Sequence, residues 1–229
     1  MPSLEDRRSR PIVLSSGAQS ATYGLFALAM ALTLIGTYVG ILWAQTILTS
    51  GVHVILAIAE LAIIFTANRW SGKSPLNIVL FALFPLLSGI TITPYLLAIV
   101  AGYVNGPAIL FNAVLTTVFI SLAAAVLARM APSLAGWSRA LVLALIGLLV
   151  LSVAQIFVPA LRTQTVELFL AGAGIVLFGV FTAYDLQRIA AQGRAGANPF
   201  LLAIGLYLDI FNLFLMVLRF MTALSGERR

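Results

Sequence analysis

Three acidic residues lie inside long apolar stretches of the chain, where an ionised carboxylate is costly. They are Glu60, Asp185 and Asp209. An acid in hydrocarbon is expected to face protein or water and to have a function, because an unpaired charge there is strongly disfavoured. Asp209 lies about ten residues into its apolar stretch, which is about 15 Å of helix and reaches the middle of a membrane. A purely structural hydrogen-bonding role is the alternative for this residue.

Asp185 and Asp209 are expected to come together, because a short turn containing Gly193 and Gly196 connects their two stretches. Two carboxylates in a site of low dielectric constant cannot both ionise cheaply, so they tend to share a proton. With one proton present the pair can form a hydrogen bond. With both groups charged, the two acids repel each other or bind a cation. The spacing therefore predicts a pH-responsive pair.

Two arginines are predicted as partners of these acids. Arg69 ends the second apolar stretch on the same side as Asp185, so it could hold that carboxylate ionised and compete with Asp209. The alternative for Arg69 is an ordinary interfacial anchor. Arg219 lies toward the opposite side, where either Glu60 or Glu167 could neutralise it.

The elements that position these residues are predicted to be transmembrane helices. Hydrophobic residues make up 62% of the 229 residues and charged residues only 9%, which indicates an integral membrane protein. A crossing needs about 20 apolar residues, and seven segments approach or exceed this length. They are Thr22–Trp43, Val52–Asn68, Leu76–Tyr103, Ala108–Met130, Ala140–Pro159, Thr165–Ile189 and Pro199–Leu224. We therefore expect one all-α domain over residues 22–224, with tails at residues 1–21 and 225–229.

Charge and composition exclude several classes of protein. The thirteen Lys and Arg residues are scattered between apolar segments, which does not suit nucleic-acid binding. With no Cys and one His, thiol catalysis, disulfides and a multi-histidine metal site are excluded. Most basic residues fall on one side of the predicted helices, which predicts a cytoplasmic N-terminus. Seven crossings would put Arg228 and Arg229 outside, so either the tail is an exception or one segment does not cross.

Other sequence features predict helix packing and irregularity. The first apolar run is longer than a signal-peptide core, so it is expected to be a retained anchor, with a cleaved signal peptide as the alternative. Pro85 and Pro94 predict either a kink or a break in the third helix. Gly36 and Gly40, four residues apart, predict a close helix–helix approach.

Two motifs carry a resemblance to a known family. They are Phe181-x-x-Tyr-Asp-Leu-Gln187 and Leu206-Tyr-Leu-Asp-Ile-Phe-Asn-Leu-Phe-Leu215. Together they resemble the signature of the Bax inhibitor-1 family, the transmembrane Bax-inhibitor-motif proteins. Leu186 is a mild departure, because threonine is commoner at this position of the motif.

The resemblance implies seven helices with the last one central, and a pH-sensitive leak pathway for calcium. It implies that Asp185 and Asp209 are the proton-responsive pair and transient calcium ligands, with Arg69 as a competitor. It also implies a latch between Glu60 and Arg219. Calcium would be the permeant ion rather than a cofactor.

Three other functions are open at this point. One is a proton-coupled cation exchanger, and another is a non-conducting membrane regulator with unknown protein partners. The third is an intramembrane aspartyl protease, which this chain matches poorly because Gly205-Leu-Tyr-Leu-Asp209 replaces the Gly-x-Gly-Asp of such enzymes. We therefore expect a non-enzymatic protein, and the short loops and tails suggest a bacterial inner membrane.

Overall fold

The described chain is helical throughout. The computed structural model describes residues 16–226, so the predicted tails are covered only in part, and residues 1–15 and 227–229 lie outside the description. Within the described range the structure has α-helices and short 3-10 turns but no strand. The helices are α1 Ser16–Leu42, α2 Ala44–Ser50, α3 Val52–Phe65, α4 Ala67–Trp70, α5 Leu76–Gly102, α6 Gly106–Met130, α7 Ser138–Phe157, α8 Gln164–Gln192 and α9 Pro199–Ser225.

Six of these helices, α1 and α5 to α9, are long and apolar enough to cross a membrane. The predicted second span, Val52–Asn68, is instead divided between α3 and α4, with Thr66 at the break. The 14 residues of α3 cover about 21 Å, less than the hydrocarbon thickness of about 30 Å. The all-helical membrane fold is therefore confirmed, whereas the exact count of seven spans stays a prediction.

Local sequence explains where the two helices of the predicted pair begin. The side chain of Asn198 accepts a hydrogen bond from the Phe200 amide at 2.9 Å, and Pro199 occupies the first position of α9. The hydroxyl of Thr163 accepts from the Val166 amide and caps α8. These caps satisfy amide groups that a helix start leaves without partners.

The α1 and α5 helices pack backbone to backbone and run in the same direction. A Cβ added to Gly36 would overlap the Leu86 carbonyl, and one added to Gly40 would overlap Thr93. Thr93 Oγ1 also donates to the Thr37 carbonyl at 3.2 Å. The predicted close approach at Gly36 and Gly40 is confirmed. Because the two helices are parallel, the chain between them must return to the end of the bundle at which α1 starts.

The α5 helix is continuous through Pro85 and Pro94. The broken-helix alternative for this segment is therefore wrong. Pro85 is fully buried in the bundle, where neighbouring helices support the backbone that a proline leaves without its hydrogen bond.

The α9 helix lies at the centre of the bundle. It contacts α1, α5, α6 and α8 and is the most buried of the six long helices. Below, the end of the bundle at which α1 begins is called the inner end, and the opposite end, where α9 finishes, the outer end. The aspartate pair lies toward the inner end and Arg219 toward the outer end.

Candidate functional site

The structure brings Asp185 of α8 against α9, the helix that carries Asp209. Both residues are buried, with exposures of 6% and 8%. Asp185 Oδ2 lies so close to Gly205 that a Cβ there would overlap it, so the missing side chain of Gly205 makes room for the carboxylate. Asp209 is one helical turn beyond Gly205, on the same face of α9.

The two acids have unequal partners. Arg188, one turn after Asp185 on α8, places Nη1 3.5 Å from Asp185 Oδ1, and its Nε donates to Gln192. Asp209 Oδ2 is buried and has no hydrogen-bond partner among the described residues. The base beside Asp185 is thus Arg188 rather than the predicted Arg69, which is exposed on α4 and forms no ion pair within residues 16–226.

Apolar side chains surround this region at the inner end. Ile189, Leu202 and Leu206 form one buried cluster between α8 and α9. An apolar environment strengthens the repulsion between two ionised carboxylates. Within the described residues, the base that pairs with this site is the partly exposed Arg188.

Glu60 lies on α3, apart from both arginines. Its two carboxylate oxygens accept hydrogen bonds from Ser88 and Thr91 of α5, each at 2.7 Å. The predicted latch between Glu60 and Arg219 is not formed in the described structure. Nearby, the hydroxyls of Tyr207 and Thr33 are 2.8 Å apart and join α9 to α1.

Arg219 is paired at the outer end with Glu167, the other acid considered for it. Its Nε and Nη2 contact the two Glu167 oxygens, with Nη2 2.7 Å from Oε2. Gln155 of α7 completes the network, because its amide oxygen accepts from Arg219 and its amide nitrogen donates to Glu167 at 3.2 Å. The network joins α7, α8 and α9.

A cavity of about 1030 Å³ opens at the outer end beside this network. Its wall includes Glu167, Arg219 and Gln155, together with Tyr95. Between this cavity and Asp209, α9 presents the buried side chains of Leu213 and Val217. The ten residues from Asp209 to Arg219 correspond to about 15 Å of helix, so the outer cavity and the aspartate pair are separated by an apolar layer.

No three His, Cys, Asp or Glu side chains come together as a metal site within residues 16–226. Calcium prefers at least six oxygen ligands. Asp185 and Asp209 alone supply fewer oxygen ligands than such a site requires.

Sequence reasoning missed several partners that the structure reveals. Arg188 was visible as a base three residues after Asp185, a spacing that favours an ion pair on one helix face. Ser88 and Thr91 were visible as hydroxyls in an apolar helix. Gln155 carried no signal in the sequence, because its role depends on how α7 packs against α8 and α9.

Comparisons with known proteins support the family resemblance that the two sequence motifs carry. The sequence profile of the family described as inhibitor of apoptosis-promoting Bax1 matches residues 17–226. An uncharacterized protein of Helicobacter pylori is 30% identical over 207 residues, which cover 90% of this chain and 86% of that protein. Mouse protein lifeguard 4 is 29% identical, over a match that covers 76% of this chain and 69% of the mouse protein. The inner membrane protein YbhL of Escherichia coli is 28% identical, over a match that covers 76% of this chain and 74% of YbhL.

Proposed function

The chain belongs to the Bax inhibitor-1 family, and from this premise we propose that it is a pH-sensitive calcium leak channel gated by protonation of Asp185 and Asp209. The observation that carries the proposal is the buried, under-compensated pair. Asp185 lies against Gly205 of α9, and Asp209 has a buried oxygen without a partner among the described residues. Protonation changes the repulsion between α8 and α9 at this point.

The gate in this proposal is the apolar layer of α9. Leu213 and Val217 separate the aspartates from the outer cavity, so an ion crosses only when α9 moves relative to its neighbours. A carboxylate pair that is stable in one protonation state and repulsive in another supplies a two-state element that such a movement requires. Calcium passes as the permeant ion and meets the two carboxylates at the inner end.

The proposed topology has seven passes in a bacterial inner membrane, with the N-terminus in the cytoplasm. The parallel arrangement of α1 and α5 favours counting α2 to α4 as the second pass. The basic side chains Arg69, Lys73, Arg129 and Arg139 border the inner end, which suits a cytoplasmic face. A relative in Escherichia coli is named as an inner membrane protein.

The direct test is calcium flux into liposomes that contain the purified protein, measured over a series of pH values. The double variant Asp185→Asn, Asp209→Asn should lose the pH dependence, because neither site can then change charge. Glu167→Gln is the matched control and should keep a pH-dependent flux, whatever its basal rate. A double variant with the wild-type pH profile would contradict the proposal.

The flux assay and a peptide-cleavage assay separate the other candidate functions. Flux that requires a proton gradient identifies an exchanger, and no flux at any pH identifies a non-conducting regulator. Cleavage of an added transmembrane peptide that stops in Asp185→Ala identifies a protease. Each of these results would replace the leak channel as the function.

A further inference from the structure

A second cavity, of about 580 Å³, opens at the inner end between α1, α6 and α8. It is separate from the aspartate pair, since its floor is the face of α8 that carries Leu186 and Ala190, whereas Asp185 lies against Gly205 of α9. The cavity is hereafter called the basic cleft, because Arg129 and Arg194 line it together with Tyr23, Gln19 and Ser133. No acidic side chain is among its lining residues.

The two arginines of the basic cleft are free to bind an anion. Arg129 lies in the last turn of α6 and Arg194 lies in the turn after α8, and both side chains are exposed. Neither forms an ion pair within the described part of the chain. Guanidinium groups bind phosphate through paired hydrogen bonds, and the hydroxyl groups of Tyr23 and Ser133 line the same cleft.

The basic cleft is held in shape by Gln187, one of its lining residues. The Gln187 amide nitrogen lies 3.1 Å from the Ala128 carbonyl and 3.3 Å from the Pro132 carbonyl, and its oxygen accepts from the Leu134 amide at 2.8 Å. These bonds fix the end of α6 to α8. The backbone at Arg129 is therefore held against α8, the helix that Arg194 follows.

The surface next to the basic cleft is apolar and faces outward. Going from Arg129 toward the middle of α6, Val126 and Leu122 are 55% and 58% exposed. In a membrane protein such side chains contact lipid chains. The cleft therefore combines a cationic pocket at the level of the membrane surface with an apolar flank below it, which is the arrangement of a phospholipid headgroup and its acyl chains. A soluble anion would not use this flank.

We propose that the basic cleft binds the phosphate headgroup of an anionic phospholipid from the leaflet at the inner end. Arg129 and Arg194 bind the phosphate, and the acyl chains lie along Val126 and Leu122 of α6. Basic pockets between transmembrane helices on the cytoplasmic side are suited to anionic headgroups. A lipid in this position joins α1, α6 and α8.

The test measures lipid binding to the purified, delipidated full-length protein in detergent by native mass spectrometry. The probes are phosphatidylglycerol and phosphatidylcholine with the same acyl chains. The double variant Arg129→Gln, Arg194→Gln should bind phosphatidylglycerol about tenfold more weakly than wild type, with phosphatidylcholine binding unchanged. The matched control is Lys73→Gln, Arg139→Gln, which removes the same charge at the same end outside the cleft and should bind phosphatidylglycerol as wild type does.

A second variant tests the cleft without changing charge. Ala190→Leu places a larger side chain in the floor and should also weaken phosphatidylglycerol binding, while melting without lipid shows whether the variant is folded. Equal losses in the cleft and control double variants would overturn the proposal, because they would show a diffuse charge effect. Displacement of phosphatidylglycerol by millimolar inorganic phosphate would also overturn it, since the site would then bind soluble anions.

Discussion

The inner and outer ends of the bundle each place charged groups between α8 and α9, but the two sites are compensated differently. At the outer end Arg219 meets Glu167 through two nitrogens, and Gln155 bonds to both. At the inner end the partly exposed Arg188 pairs with Asp185, and one oxygen of Asp209 has no partner in the described structure.

The outer network joins α7, α8 and α9 through paired polar groups. Under the proposed function, the inner pair responds to pH, because two carboxylates in an apolar site repel each other when both are ionised and tend to share a proton. We therefore expect the outer network to act on stability and the inner pair to act on the pH dependence of flux.

Arg219→Ala should cause the largest loss of stability. The change leaves Glu167 and Gln155 without their shared partner, which lowers the free energy of unfolding by about 2 kcal/mol for charged hydrogen bonds in a partly buried site. Thermal unfolding in detergent measures the effect. Arg139→Ala is the control. Because Arg139 is exposed, this variant should melt as wild type does. Wild-type melting of Arg219→Ala would show that the outer network is not a structural clamp.

Gly205→Ala should disturb the inner pair without changing any charge. The new Cβ would overlap Asp185 Oδ2, so the carboxylate must move away from α9, at a cost of about 1 kcal/mol. We expect a weaker pH dependence of calcium flux together with slightly lower stability. The control is Gly172→Ala on α8, where a Cβ would lie 3.7 Å from the Phe220 ring. An unaltered pH profile in Gly205→Ala would show that contact between Asp185 and α9 is not needed.

Arg188→Ala should give the smallest effect, a shift of the pH profile. Arg188 lies beside Asp185, with Nη1 3.5 Å from Oδ1, so its removal changes the electrostatic field at the carboxylate pair. The midpoint of the flux profile should move by about half a pH unit, as expected for a partly exposed ion pair. Arg69→Ala is the comparison. A larger shift for Arg69→Ala would restore Arg69 as the partner of Asp185.

Parts of the fold could be predicted because they depend on local patterns. Apolar length predicted α1 and α5 to α9, and Gly36 with Gly40 predicted the close packing that the structure contains. The helix break at Thr66 in the second span could not be predicted, because the apolar run gives no sign of it. The prolines of α5 left a kink and a break open, and the continuous helix in the structure rules out the break.

For the charged residues too, the sequence predicts some properties and the tertiary structure decides others. The sequence by itself determined that Asp185, Asp209 and Arg219 lie within apolar helices, because the cost of a charge in hydrocarbon follows from composition alone. Only the tertiary structure decided their partners, Gly205 and Arg188 for Asp185 and Glu167 for Arg219. A partner depends on helix rotation and depth, and an uncertainty of two residues in a boundary moves a side chain by about 3 Å along the helix and about 200° around it.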